Sequence, residues 1–308
     1  MTFLKTRHLI QIDDLSLSDV HLLFEWAKQF ESMTAGDFLK VPFLRGQVVA
    51  NVFLEPSTRT LLSFEVAAKK LQAEVIRFHA NESSLEKGES LLDTLLNIQA
   101  LGASKVVIRH FESGKVRELS QTLHVSVINA GDGYNEHPTQ ALLDAYTLMK
   151  HFGRSKEEGL SHLRIAIVGD LKHSRVARSN MCLLPRLGAK VVVAGPPNLM
   201  PDSFENSQIE VAPSIDDAII DADVVMMLRI QKERFQSQGV LIDENYLQRF
   251  GLTKERFSQM PSHAQVMHPG PMNRGIEIDS DVANDPRSLI LNQARNGVYI
   301  RMAVLYGL

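Results

Sequence analysis

Residues 48–60 read Val-Val-Ala-Asn-Val-Phe-Leu-Glu-Pro-Ser-Thr-Arg-Thr. The first seven are apolar but for Asn51, as in a strand covered on both faces. The run breaks at Pro56, and from Leu61 to Leu71 apolar residues return at helical spacing. Ser57, Thr58, Arg59 and Thr60 therefore stand at a strand-to-helix junction, where the first helical turn offers unpaired N–H groups and the positive end of the helix dipole. Such a junction suits an anion, phosphate above all. It equally suits a plain Ser/Thr helix cap with a surface arginine, and the four residues alone leave both readings open.

Outward from this junction, strand-like runs alternate with helical ones. Ser16-Leu17-Ser18-Asp19 opens a first helix carrying Val20, Leu23, Phe24, Ala27 and Phe30. Strands are predicted at 48–54, 74–78, 105–109 and 126–129, with helices at 61–71, 90–101 and 116–123. A helix over 138–152 precedes the polar stretch 153–161, which reads as a domain connector. A second series follows at 163–168, 190–194, 210–212, 224–229 and 265–268, and an amphipathic helix over 289–305 ends the chain. This alternation predicts parallel sheets covered by helices. With 308 residues, more than one core holds comfortably, the expected fold is α/β: two doubly wound parallel-sheet domains with an interdomain active-site cleft.

Composition narrows the class. The chain is 44% hydrophobic and 22% charged, as a globular protein is. Its formal charge of −3 argues against a nucleic-acid footprint. The single cysteine, Cys182, excludes an internal disulfide and a cysteine metal cluster, and its helical surroundings predict a buried, inert thiol. The first residues lack the apolar core of a secretory signal, and no apolar run approaches the ~20 residues that span a bilayer. A cytoplasmic protein without membrane contact is expected.

Six further polar clusters accompany the predicted strands. Arg109-His110 ends one; Arg109 suits a phosphate, a carbonyl or a plain salt bridge. Gly131-Asp132-Gly133-Tyr134-Asn135-Glu136-His137-Pro138-Thr139-Gln140 opens a helix at Pro138. It sets His137 and Gln140 three apart, as hydrogen-bonding groups for a carbonyl or amide or, for His137, as a cap. Gly169-Asp170-Leu171-Lys172-His173-Ser174-Arg175 lacks the Gly-x-Gly-x-x-Gly of a dinucleotide site, and Arg175 suits a carboxylate. So does Arg229, which leaves an apolar strand ahead of Ile230-Gln231. His268-Pro269-Gly270-Pro271-Met272-Asn273-Arg274-Gly275 is a rigid turn exposing backbone groups. Loop 81–90 is either a connector or a cation-bearing flap over an anion. No motif for a nucleophile, paired carboxylates or a metal is present. Donors and arginines in this proportion suit transfer from an acyl phosphate to an anionic acceptor by positioning and oxyanion stabilisation.

In their order, 57–60, 83–89, 131–140, 169–175, 229–231 and 268–275 resemble the motifs of the aspartate carbamoyltransferases, over nearly the whole chain. The resemblance implies a carbamoyl-phosphate domain over 1–140, completed by the terminal helix 290–308, and an aspartate domain over 141–289. It implies transfer of the carbamoyl group of carbamoyl phosphate to L-aspartate in pyrimidine biosynthesis, without cofactor or metal. Ser57, Thr58, Arg59 and Thr60 would bind the phosphate, and Thr60, Arg109 and His137 the carbonyl oxygen. Arg59 joins these three in the catalytic set. Gln140 would hold the carbamoyl nitrogen, and Gly270 and Pro271 would offer backbone contacts. Arg175, Arg229, Gln231 and Lys87 would bind aspartate, with Ser84 and Lys87 reaching into a neighbouring subunit's site. The departing phosphate would take the amine proton, which explains the absence of an evident general base. A homotrimer is implied, free or assembled with regulatory or dihydroorotase-like chains.

Two rivals are weighed. Ornithine carbamoyltransferases share the Ser-Thr-Arg-Thr loop but carry a His-Cys-Leu-Pro turn, where this chain has His268-Pro269-Gly270-Pro271 and two arginines for a second carboxylate. Non-enzymatic relatives lose parts of the phosphate loop, which is complete here. Leu61 stands where many family members have arginine, which points to an altered ion pair outside the ligand set. The loop after residue 80 is one residue shorter than in enteric members, leaving Ser83 and Ser84 as alternatives. Loops 81–89 and 231–243 are expected to move with domain closure.

Overall fold

The computed structural model describes residues 4–34, 40–79, 83–204, 206–231 and 245–308. Two compact units result: Met1–Tyr146 with Ala294–Leu308, and Thr147–Gln293. Both divisions fall inside helices, Pro138–His151 and Ile290–Gly307. The polar stretch 153–161, read from the sequence as the connector, lies wholly within the second unit.

In the first unit, helix α1 (Leu17–Thr34) precedes strand β1 (Val48–Phe53), helix α2 (Thr58–Lys70) and strand β2 (Glu74–His79). Helix α3 (Leu91–Ala100), strand β3 (Ala103–His110), helix α4 (Lys115–Ser120), strand β4 (Ser126–Asp132) and helix α5 (Pro138–His151) follow. The four strands are parallel in the order β2-β1-β3-β4. The interior of β1 is wholly buried, which is why its sequence is nearly continuous in apolar residues. Ala50, Val52, Val106, Ile108 and Val127 pack with Leu95 and Ile98 of α3 and Val116 and Leu119 of α4. The terminal helix completes this unit: Tyr306 meets Trp26, Phe30 and Phe43 edge-on at ring distances of 5.1–5.7 Å, geometries that favour aromatic pairs.

The second unit holds strands β5 (Arg164–Val168), β6 (Lys190–Ala194), β7 (Ile209–Val211), β8 (Val224–Met227) and β9 (Gln265–Met267). Helix α6 (Arg175–Arg186) links β5 to β6, and helix α7 (Ile215–Ile219) links β7 to β8. The order is β7-β6-β5-β8-β9, all parallel. Ala166, Val168, Val192, Val225, Met227 and Val266 form its core with Ile215 and Phe257. Each sheet reverses its strand order once, between β1 and β3 and between β5 and β8. At such reversals the loops leaving the carboxyl ends diverge and open a ligand crevice.

Candidate active site

The first reversal carries the Ser-Thr-Arg-Thr junction. Helix α2 begins at Thr58, three residues earlier than its apolar periodicity, because Ser57 takes the N-cap position. The Ser57 hydroxyl makes no capping hydrogen bond, so the cap position is filled while its usual bond is left unmade. Backbone pairing starts only with Leu61 N–H to Ser57 O at 3.1 Å. Thr58 and Arg59 are exposed, whereas Thr60 is buried. A helix start with an uncommitted hydroxyl and unpaired N–H groups is arranged for an anion.

Arg109 reaches the same crevice from β3, where it is in register with Phe53 of β1. Its Nε lies 3.2 Å from Glu55 Oε2, and its Nη1 donates to Ala130 O at 3.1 Å. Partners after β1 and in β4 thus hold the guanidinium from both sides. The loop after β4 is fixed by buried Asp132: Oδ1 accepts from Glu136 N at 3.2 Å and from Asn129 Nδ2 at 2.7 Å, and Oδ2 from Gly114 N at 2.8 Å. Glu136 Oε2 accepts from Ile12 N at 2.9 Å. This scaffold delivers His137 immediately before α5, and its Nε2 lies 3.5 Å from Thr60 Oγ1. Both groups are buried, close enough for one ligand oxygen to meet them together. Gln140, one turn on, donates from Nε2 to Asp144 Oδ1 at 2.9 Å. Ser84 and Lys87 lie exposed on a 3₁₀ turn, Ser84–Lys87, where Ser83 accepts from Leu85 N and Gly88 adopts φ +90°. Residues 81 and 82, at the start of the expected mobile loop, are outside the described residues.

In the second unit the loops after β5 and β8 meet. Gly169 adopts φ +127°, and a Cβ there would lie 3.2 Å from Leu228 Cβ, so only glycine lets the β5 exit run this close to β8. Buried Asp170 Oδ1 accepts from His173 N at 3.1 Å and lies 3.0 Å from His173 Nδ1. Ser174 caps α6 by accepting from Ala177 N, which sets Arg175 as the first helical residue, buried. Gln231 Nε2 donates to His173 O at 3.4 Å. Arg229 stands half-buried two residues before Gln231. Residues 232–243 of the second expected mobile loop are outside the described residues.

The turn after β9 is rigid for a reason its prolines do not reveal. His268 Nδ1 accepts from Gly270 N at 2.8 Å, so the ring carries its proton on Nε2, 3.1 Å from Glu277 Oε1. Glu277 also accepts from Asn273 N, and Asn273 Nδ2 donates to Ile230 O at 2.8 Å. The peptide bond into Pro271 is cis. These bonds hold Gly270 and Pro271 in place and tie the turn to the residue between Arg229 and Gln231.

The sequence reading missed the supporting residues. Glu55 pairs with Arg109 from another strand, so no local spacing marks it; Asp132, Asp170 and Glu277 bind mainly to groups three to nine residues away, but their role as supports rather than ligands shows only in the folded loops. Cys182 is corrected: its thiol is half-buried rather than buried, because it lies on a partly exposed stretch of α6. Among the described residues no group of three or more His, Cys, Asp or Glu is set to hold a metal, and no helix is long and apolar enough to cross a membrane.

Comparison with known proteins agrees with this layout. Residues 7–150 match the family model of the aspartate/ornithine carbamoyltransferase carbamoyl-P binding domain, and 161–308 that of the Asp/Orn binding domain. The aspartate carbamoyltransferase catalytic subunit of a Nocardioides species is 49% identical over 302 residues, covering 97% of this chain and 93% of that one. Trypanosoma cruzi aspartate transcarbamoylase, solved with aspartate and phosphate, aligns with a TM-score of 0.85 at 29% identity over 99% of this chain and 97% of that one. The Thermus thermophilus ornithine carbamoyltransferase aligns with a TM-score of 0.84 at 25% identity over 98% of each chain, so the fold alone does not distinguish the acceptor. The chain belongs to the aspartate/ornithine carbamoyltransferase family.

Proposed function

We propose that this chain transfers the carbamoyl group of carbamoyl phosphate to the α-amine of L-aspartate, giving N-carbamoyl-L-aspartate and phosphate. The observation that carries this reading is the pair of chemically different strand-order reversals. One bears an open helix N-terminus with an uncommitted Ser57 hydroxyl, beside Arg109 and the Thr60–His137 pair. The other bears Arg175, Arg229 and Gln231, cations and an amide suited to the two carboxylates of aspartate. The His268-Pro269-Gly270-Pro271 turn and the curated relatives at 48–49% identity favour aspartate over ornithine.

In this reading Ser57, Thr58, Arg59 and Thr60 bind the phosphate. Gln140 holds the carbamoyl nitrogen, and the backbone at Gly270 and Pro271 contacts the donor. Ser84 and Lys87 serve a neighbouring subunit's site, Lys87 also binding aspartate, in a cytoplasmic homotrimer. The aspartate amine attacks the carbamoyl carbon, forming a C–N bond and a tetrahedral oxyanion. Thr60, Arg109 and His137 stabilise that charge, which is why they matter more to the transition state than to the ground state. The C–O bond to phosphate then breaks, and the departing phosphate accepts the amine proton. His137→Ala should lower kcat about 100-fold while carbamoyl phosphate affinity changes by only a few-fold; steady-state kinetics with an unchanged kcat would remove His137 from this role.

A further inference from the structure

Gln140 is buried near the start of α5, and its side-chain amide is held one turn on along the same helix. Its Nε2 donates to Asp144 Oδ1 at 2.9 Å, and Asp144 is fully buried. A buried cation in the same unit comes from the far end of the sequence: Arg301, on the helix Ile290–Gly307, is itself 4% exposed, and the Asp144 charge favours its charged form. Arg301 Nη1 donates to Ser63 Oγ at 2.7 Å, and its guanidinium lies 5.1 Å from the centre of the Phe64 ring. Gly297 makes the room, since a Cβ there would lie 2.8 Å from Arg301 Nη1. Burial pulls the Arg301 pKa down to about 10, which leaves the group cationic at neutral pH.

We propose that Asp144 fixes which end of the Gln140 amide faces the substrate, a positioning residue that selects the nitrogen end of the carbamoyl group. A guanidinium only donates and an ionised carboxylate only accepts. The Gln140 NH2 is therefore committed to Asp144, and Oε1 is the end left to accept. A carbamoyl group differs from an acetyl group by one NH2 in place of CH3, and an accepting oxygen is the group that reads this difference. The inference rests on the reading that Gln140 faces the carbamoyl nitrogen.

The test compares the full-length chain with Asp144→Asn. Two quantities are read: kcat/KM for carbamoyl phosphate, and the competitive inhibition constant of acetyl phosphate. An asparagine at 144 offers an NH2 where the carboxylate offered only oxygens, and when that NH2 faces Gln140 the Gln140 amide flips and presents a donor to a donor. The expected loss in kcat/KM is roughly 10- to 100-fold, the size of a buried donor left without its acceptor. Acetyl phosphate, which offers no N–H, should change its inhibition constant less than about threefold. Equal losses for both ligands, as general damage would give, overturn the proposal, and so does no loss for either. If the single variant does not fold because a buried cation loses its counter-charge, Asp144→Leu/Arg301→Met removes acceptor and cation together and carries the same comparison, with a selective loss of about 10-fold expected because nothing then holds the Gln140 NH2 away from the substrate. A wild-type chain that forms no carbamoylaspartate fails the functional reading itself, and the proposal with it, before any variant is compared.

Discussion

His110 shows how burial at a single position becomes a property of the whole fold. It ends β3 beside Arg109, is 5% exposed, and its Nδ1 accepts from Glu112 N at 3.0 Å. Burial holds its pKa below the ordinary 6.5. The unfolded chain therefore takes up this proton first as pH falls, and folding stability decreases as pH drops through 6.5. Replacement by Gln should flatten the decline in denaturation free energy as pH falls below 6.5; an unchanged slope would mean that His110 protonates freely in the fold. Arg109, its neighbour, was legible in the sequence as a cation at a strand end. Glu55, which holds it, was not, because the pair forms only once β1 and β3 lie side by side.

At the scale of elements, helix α2 matters most. Its length from the sequence was short by a turn, since polar residues at 58–60 carry no apolar periodicity. The same residues are the ones the junction presents to a ligand. A capping serine is ordinarily worth about 1 kcal/mol, but the Ser57 hydroxyl makes no capping bond. Ser57→Ala should therefore cost less than about 0.5 kcal/mol in thermal or urea denaturation. It should also raise KM for carbamoyl phosphate about tenfold through loss of a hydrogen bond to a charged group. A stability loss near 1 kcal/mol with unchanged KM would return Ser57 to the role of a simple cap. The turn after β9 teaches the converse: its prolines and glycines were legible, while the Asn273 bond that ties it to Ile230 joins segments far apart in sequence.

For the molecule as a whole, the order of strands and helices was readable because the central parallel strands are buried on both faces and read as apolar runs, while the edge strands β2 and β7 are more exposed. The divisions between units were not, because they fall inside continuous helices that carry no break in pattern. Nor does one sequence state which surfaces meet a second copy. The proposed homotrimer predicts a solution mass of three times 34.5 kDa by light scattering after size exclusion; a stable monomer with full activity would exclude sites completed by Ser84 and Lys87 of a neighbour.

The choice of acceptor decides the function, because the family and the fold serve two. The most direct measurement is the ratio of kcat/KM for L-aspartate and L-ornithine at saturating carbamoyl phosphate, with the purified chain and a labelled carbamoyl group. Arg175, Arg229 and Gln231, with no cysteine in the turn at 268–271, predict N-carbamoyl-L-aspartate as the product and no detectable citrulline. Citrulline as the favoured product, or no transfer to either amine, would contradict that assignment.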